Sequence, residues 1–157
     1  MSFRRCLSAL VVVGLLGARA TSYAQSNASR GDWTTAKALS CVFPILTTGT
    51  WTKGEPAADV KAATFSIRFT GIDVDEGTAR AIGSFGPSDI IVKLSVRTLH
   101  FVQMFRAGPL YTTTVFDSES HPGKLKAVHT RHEYTDVSLP GFTSRPEQYY
   151  GECAVEP

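Results

Sequence analysis

The segment DIIVKLSVRTLHFVQMF, residues 89–105, holds ten large apolar side chains and is interrupted by neither Gly nor Pro. Many of these side chains are β-branched or aromatic, which favours extended chain on a buried, pleated surface. At about 3.3 Å per residue, one straight strand of this length would be longer than a small domain. We therefore predict two strands, or one sharply bent strand, that meet near Arg97 and Thr98.

The segments around this stretch also favour strands. Phe65, Ile67 and Phe69 alternate with polar residues, as in a strand with one buried face. Residues 71–77 contain Asp and Gly residues that suit a hairpin turn, although residues 73–77 (DVDEG) also resemble the start of a calcium loop. The pattern predicts an all-β, barrel-like domain of about eight mostly antiparallel strands, with a two-sheet sandwich as the alternative.

The predicted first strand covers residues 39–46, with Pro44 at an edge or a bulge. Residues 47–54 are turn-like. Residues 55–60 are predicted to form one helical turn, because Pro suits the first helical position and Ala favours helix.

Residues 1–24 have the three parts of a secretory signal. Arg4 and Arg5 supply positive charge, residues 7–16 (LSALVVVGLL) form an apolar run, and a small-x-small site ends at Ala24. The run is about half as long as a bilayer span requires, so we expect no stable membrane span after signal removal. The sequence predicts a periplasmic or secreted protein with a flexible segment over residues 25–38 and an all-β domain over residues 39–157.

The charge balance gives no support to nucleic-acid binding. The chain carries 16 Lys and Arg against 14 Asp and Glu, and removal of Arg4, Arg5 and Arg19 with the signal leaves 13 against 14. Basic residues form no run and are not interleaved with aromatic ones. We therefore predict no nucleic-acid partner.

The cysteines that remain after export are Cys41 and Cys153, because Cys6 lies in the signal. An even number of cysteines in an exported chain predicts a disulfide. Neither residue has another Cys or a His at ligand spacing, which disfavours a metal site. A bridge between the first and last strands would place the chain ends side by side, and this favours the barrel.

Gly49-Thr50-Trp51 resembles the Gly-x-Trp motif found near the first strand of lipocalins and other calycins. Those families are barrels that hold small hydrophobic ligands. The resemblance covers three residues, and it implies a ligand-binding barrel by analogy of fold.

The most polar stretch inside a predicted strand is AVHTRHEY, residues 127–134. Strand alternation places His129, Arg131 and Glu133 on one face, where Arg131 offers planar donors to an anion and Glu133 orients it. The alternative is a solvated face carrying an ordinary ion pair. His132 lies on the other face, beside apolar neighbours, so a metal shared with His129 would require a bulge.

The sequence contains no nucleophile elbow and no phosphate loop, and both mature cysteines are expected to be oxidised. We predict no cofactor and no metal, and we favour non-enzymatic binding of a small molecule or a protein partner. Two alternatives stay open. One is an envelope structural or interaction module without a pocket, and the other is a hydrolase or isomerase using His129, Arg131 and Glu133.

Overall fold

Eight antiparallel strands follow one another around a single sheet that closes into a ring in this computed structural model. The structure describes residues 33–84, 86–106, 108–133 and 144–157. The strands are β1 (Ala38–Thr52), β2 (Glu55–Asp73), β3 (Thr78–Gly83), β4 (Gly86–Ser95), β5 (Thr98–Met104), β6 (Leu110–His121), β7 (Lys124–His132) and β8 (Glu147–Val155). Pairing of β8 with β1 closes the ring. The prediction of an all-β, barrel-like domain is confirmed.

The predicted signal, residues 1–24, lies outside the described residues, as does most of the predicted flexible segment 25–38. The end of that segment is described from Trp33 onward. Trp33 is buried, and its Nε1 donates a hydrogen bond to Asp117 Oδ1 at 3.2 Å. Packing and this hydrogen bond therefore hold this end of the segment against the barrel.

Within the described ranges, no helix is long and apolar enough to cross a membrane.

The apolar stretch 89–105 forms β4 and β5, which are joined by a tight turn between Ser95 and Thr98. The prediction of two strands meeting near Arg97 and Thr98 is confirmed. Val96 takes a positive φ of 47° in this turn. The alternate side chains of both strands point inward, and the fully buried ones include Val92, Leu99 and Phe101.

The predictions for residues 47–54 and 55–60 are wrong. β1 continues to Thr52, and β2 starts at Glu55 with no helical turn. Lys53 and Gly54 have positive φ values of 54° and 89°, which is typical of the two-residue type I′ hairpin turn. Pairing of β2 with β1 overrides the weak local preference of Pro and Ala for helix.

The expected bulge at Pro44 is confirmed, because the register of β1 shifts between Phe43 and Ile45 against both neighbouring strands. Gly151 of β8 faces this bulge. A Cβ atom built on Gly151 would lie 2.7 Å from Phe43 Cα, so the close approach of the two backbones requires glycine.

Cys41 and Cys153 are direct cross-strand partners in β1 and β8, and their sulfur atoms lie at disulfide distance. The predicted pairing of the first and last strands is confirmed. A disulfide pair indicates an oxidising environment outside the cytoplasm.

The barrel interior divides into two halves. We call the end that carries the β2–β3, β4–β5 and β6–β7 turns the lower end, and the opposite end the upper end. The lower half is filled by apolar side chains and contains the stacked rings of Phe69 and Phe101, whose centroids are 3.8 Å apart. The upper half contains His129 and Arg131, and a cavity lies there.

Candidate functional site

The strand β7 places its inward side chains along the whole height of the barrel. Leu125 and Ala127 are buried in the lower half, and His129 and Arg131 follow in the upper half. His129 and Arg131, two residues of the predicted polar face, therefore point into the barrel. His132 lies on the opposite face and is exposed, because that face of β7 is the outer surface.

His129 is buried among aromatic rings and is 2% exposed. Its ring centroid lies 4.7 Å from that of Phe65 and 5.9 Å from those of Tyr111 and Tyr149. Burial, with a smaller contribution from the charge of Arg131, lowers the pKa of His129 to about 3. The imidazole is therefore neutral at physiological pH.

The two ring nitrogens of His129 have different surroundings. Nδ1 lies 2.8 Å from the Oγ1 of Thr113, which is itself buried on β6. Nε2 is buried and has no hydrogen-bond partner among the described residues. A neutral imidazole has one donor and one acceptor nitrogen, so one of its two hydrogen-bonding groups is unsatisfied.

The guanidinium of Arg131 lies among three aromatic rings. Its Cζ is 4.8 Å from the ring centroid of Phe65, 5.1 Å from that of Tyr149 and 5.2 Å from that of Tyr111. These are cation–π distances. Arg131 Nη1 also lies 3.6 Å from Glu147 Oε2, whereas its buried Nε has no partner in the described part of the chain.

The two carboxylates near this cluster bind tyrosine hydroxyls. Tyr111 donates to Glu133 at 2.8 Å, and Tyr149 donates to Glu147 at 2.6 Å. Burial and these hydrogen bonds raise the pKa of both tyrosines, that of Tyr149 to about 12. Glu147 is thus the carboxylate that pairs with Arg131, while Glu133 holds Tyr111, which was not the role predicted for it.

A cavity of about 230 Å³ lies beside His129 and Arg131. Small residues of β3 and β4 leave this space open, namely Ala81, Gly83 and Ser88. Larger apolar side chains form much of its wall, among them Phe65, Ile67 and Phe105. The cavity lies where β2 separates from β3, since these strands pair only between Arg68 and Asp73 of β2. Its further polar residues include Gln103 and Ser88, and the Gln103 amide donates a hydrogen bond to the Ser88 hydroxyl.

Neither metal binding nor calcium binding gains support from the described residues. They contain no group of three or more His, Cys, Asp or Glu side chains placed to hold a metal ion. In the β2–β3 turn, Asp73 Oδ1 accepts hydrogen bonds from the backbone nitrogens of Asp75 and Glu76. These bonds are those of a turn stabilised by an aspartate side chain.

Sequence reasoning missed several residues of this cluster, notably Thr113, Tyr111 and Glu147. Thr113 and Tyr111 share a parity in β6, so alternation places them together on one face. Nothing in the sequence shows that this face meets His129, because the register between β6 and β7 becomes visible only in the fold.

Comparison with protein-family models, with curated proteins and with solved structures finds no match.

Proposed function

We propose that the protein is exported to the periplasm or the cell exterior and binds a small molecule in the cavity of its upper half. One observation carries this proposal. Among the residues that the structure describes, His129 Nε2 and Arg131 Nε are buried without hydrogen-bond partners, and both residues line a mostly apolar cavity. Buried polar groups in native proteins nearly always bond to protein, water or ligand. Both atoms have almost no accessible surface beside the cavity, so a ligand with a suitably placed polar group would supply the missing bonds after the two side chains turn toward it.

The chemistry of the two nitrogens defines the ligand class. Arg131 Nε only donates hydrogen bonds, so the ligand requires an acceptor such as a carbonyl oxygen. His129 Nε2 also donates if the hydroxyl of Thr113 donates to Nδ1, and both nitrogens would then require acceptors. Because Glu147 already balances the charge of Arg131, the ligand does not need a negative charge.

The cavity walls define the remainder of the ligand. The rings of Phe65, Phe105 and Tyr111 offer apolar surface to a flat body. A volume of about 230 Å³ is below the ~300 to 1,000 Å³ of sites for drug-sized ligands. We therefore propose a small, mostly apolar, uncharged molecule that carries a carbonyl group.

Catalysis by His129 has less support than binding. A general base works best when its pKa lies near the operating pH, and the pKa of His129 is held at about 3. Its Nδ1 bonds to a hydroxyl rather than to a carboxylate that would stabilise the protonated ring. These features suit a neutral hydrogen-bonding group.

The experiment compares two ligands that differ only in the acceptor. The protein is expressed from the full-length sequence, purified after export and titrated with 1-indanone and with indane by native mass spectrometry and calorimetry. We expect the ketone to bind about tenfold more tightly, because only the ketone satisfies a buried donor. The intact mass also tests cleavage after Ala24, and cell fractionation tests the compartment.

Two variants assign the preference to the site. Arg131→Met removes the donor and keeps an apolar side chain of similar length, so the preference for the ketone should disappear. Arg80→Met is the matched control, because Arg80 is exposed and does not line the cavity. Its Nε lies 3.2 Å from Asp89 Oδ1. Binding of neither compound, together with only the bare polypeptide mass after incubation in cell extract, would contradict the proposal.

A further inference from the structure

The strand β2 has a long edge that no other strand covers within the described ranges. Its pairing with β3 begins only at Arg68, so residues 55–67 pair with β1 on one side and with nothing on the other. Residues 55–62 are all exposed, and Val60 is 66% exposed. An edge of this length presents unpaired backbone N–H and C=O groups to any strand that fits it.

The β1–β2 hairpin determines which backbone groups point outward. In its two-residue turn, Thr52 and Glu55 form the closing hydrogen-bonded pair. Hydrogen-bonded and non-hydrogen-bonded pairs alternate from there, so the N–H and C=O groups of Ala58, Val60 and Ala62 point away from β1. The backbone of Pro56 also points away from β1, so its lack of an N–H group removes no hydrogen bond between β1 and β2.

We propose that this edge binds a second copy of the chain, with the two β2 strands antiparallel across a twofold axis at Val60. Each Val60 then pairs with its copy, and Ala58 pairs with Ala62 of the partner, which satisfies the outward backbone groups of all three residues. The side chains of these three residues from both copies lie together on the outer face of the two paired β2 strands, and all of them are small and apolar.

Charge complementarity selects this register. On the other face, the axis at Val60 places Asp59 of each copy opposite Lys61 of the other, and two ion pairs form. Moving the axis by one residue would place Asp59 against Asp59 or Lys61 against Lys61. Both side chains are exposed, and neither makes an ion pair within the described residues.

The main competing explanation is that the two charges protect the edge from association. If the charges served only to prevent edge association, they would repel a second copy of the chain most strongly by having the same sign. Here opposite signs flank Val60 at equal distances along the strand, which makes the edge complementary to itself. This symmetry favours a homodimer over a different protein partner.

A charge exchange tests the register. The exported protein should sediment as a concentration-dependent dimer in analytical ultracentrifugation. Asp59→Lys and Lys61→Asp should each weaken the dimer at least about tenfold, because two attractive pairs become repulsive. The double variant D59K/K61D restores both pairs and should return the dissociation constant to within about threefold of the parent. Lys93→Asp, on the exposed outer face of β4, is the matched control and should change nothing.

Cross-linking tests the axis itself. Two Val60 residues in a hydrogen-bonded pair would have Cα atoms about 5.5 Å apart, within disulfide range. Val60→Cys should therefore form a covalent dimer on mild oxidation, and Lys93→Cys should not. A parent that remains monomeric up to sub-millimolar concentrations would overturn the proposal. So would a dimer that both single charge reversals leave intact, since it would use another surface. Ligand binding by the cavity does not depend on either outcome.

Discussion

The two halves of the barrel interior are built from the same eight strands and have opposite contents. In the lower half, inward positions carry Leu39, Phe69, Leu99 and Phe101, which pack with almost no exposed surface. In the upper half, equivalent inward positions carry His129 and other polar groups beside a cavity. The halves differ in side-chain type and in strand pairing, because β2 pairs with β3 only in the lower half.

This division separates stability from recognition. The lower half carries the stacked phenylalanine rings and the cysteine pair, and the chain enters and leaves the barrel there. The upper half carries neutral His129 and the enclosed Arg131, whose Nε2 and Nε atoms are unsatisfied. Variants of the lower half should therefore mainly change the free energy of unfolding, whereas variants of the upper half should mainly change ligand binding.

The largest effect is expected from removing the disulfide in the lower half. Replacing Cys41 and Cys153 together by Ala opens a link across 112 residues, which should lower the free energy of unfolding by about 4 to 5 kcal/mol. Urea denaturation of the parent, the double variant and the reduced parent measures the loss. A decrease below about 1 kcal/mol in either form would show that the bridge does not stabilise the barrel.

Truncating one phenylalanine in each half tests the division directly. Phe101→Ala should cost about 4 kcal/mol, because the ring is 1% exposed and stacked on Phe69. Phe65→Ala should cost about half as much, since that ring is partly exposed and already borders a cavity, but it should weaken ligand binding more. Equal losses of stability in urea denaturation would contradict the division.

The pH dependence of stability should report the neutral His129. Its pKa is about 3 in the folded protein and about 6.5 when unfolded, so below pH 6.5 the unfolded chain binds the proton first. Stability is therefore complete above pH 6.5 and falls as the pH approaches 3. Between pH 7 and pH 5 the loss should be about 2 kcal/mol.

His129→Gln is the control for this titration, because it keeps a hydrogen-bonding side chain and removes the titrating group. The difference in stability between pH 7 and pH 5 should be smaller in this variant by about 2 kcal/mol. Identical pH profiles for the parent and the variant would show that the imidazole is not buried in its neutral form.

The smallest effect is expected at the turns. Val96, at the lower end, is β-branched with a φ of 47°, so Val96→Gly should raise stability by about 1 kcal/mol after the entropy cost of glycine. Lys53 has a similar φ of 54° at the upper end, but its side chain is not β-branched. Lys53→Gly should therefore raise the free energy of unfolding by less than Val96→Gly does. Thermal unfolding distinguishes the two. A larger gain at Lys53 would contradict this explanation.

Much of the fold was predictable because alternation and compartment chemistry act locally. Phe65, Ile67 and Phe69 indicated a one-sided strand, and the even cysteine count indicated the Cys41–Cys153 bridge. Residues 55–60 were mispredicted, because local helix preference is weaker than the pairing of β2 with β1. The turn at Lys53 carries no strong signal, since Lys favours a positive φ less than the Asn or Asp that usually precedes Gly in such turns.

The site was only partly predictable, for a different reason. Alternation along β7 correctly put His129 and Arg131 on one face, yet it could not show whether that face was inside. The ion pair of Arg131 with Glu147 joins β7 to β8, and the bond of His129 to Thr113 joins β7 to β6. Such pairs depend on strand register, which a single sequence does not specify.

A crystal structure of the exported protein soaked with 1-indanone tests the central claim most directly. The account predicts the ketone inside the upper cavity, with its oxygen within hydrogen-bond distance of Arg131 Nε and its ring against Phe65. A cavity that stays closed to the ketone, with His129 Nε2 and Arg131 Nε both bonded to other groups of the chain, would contradict it.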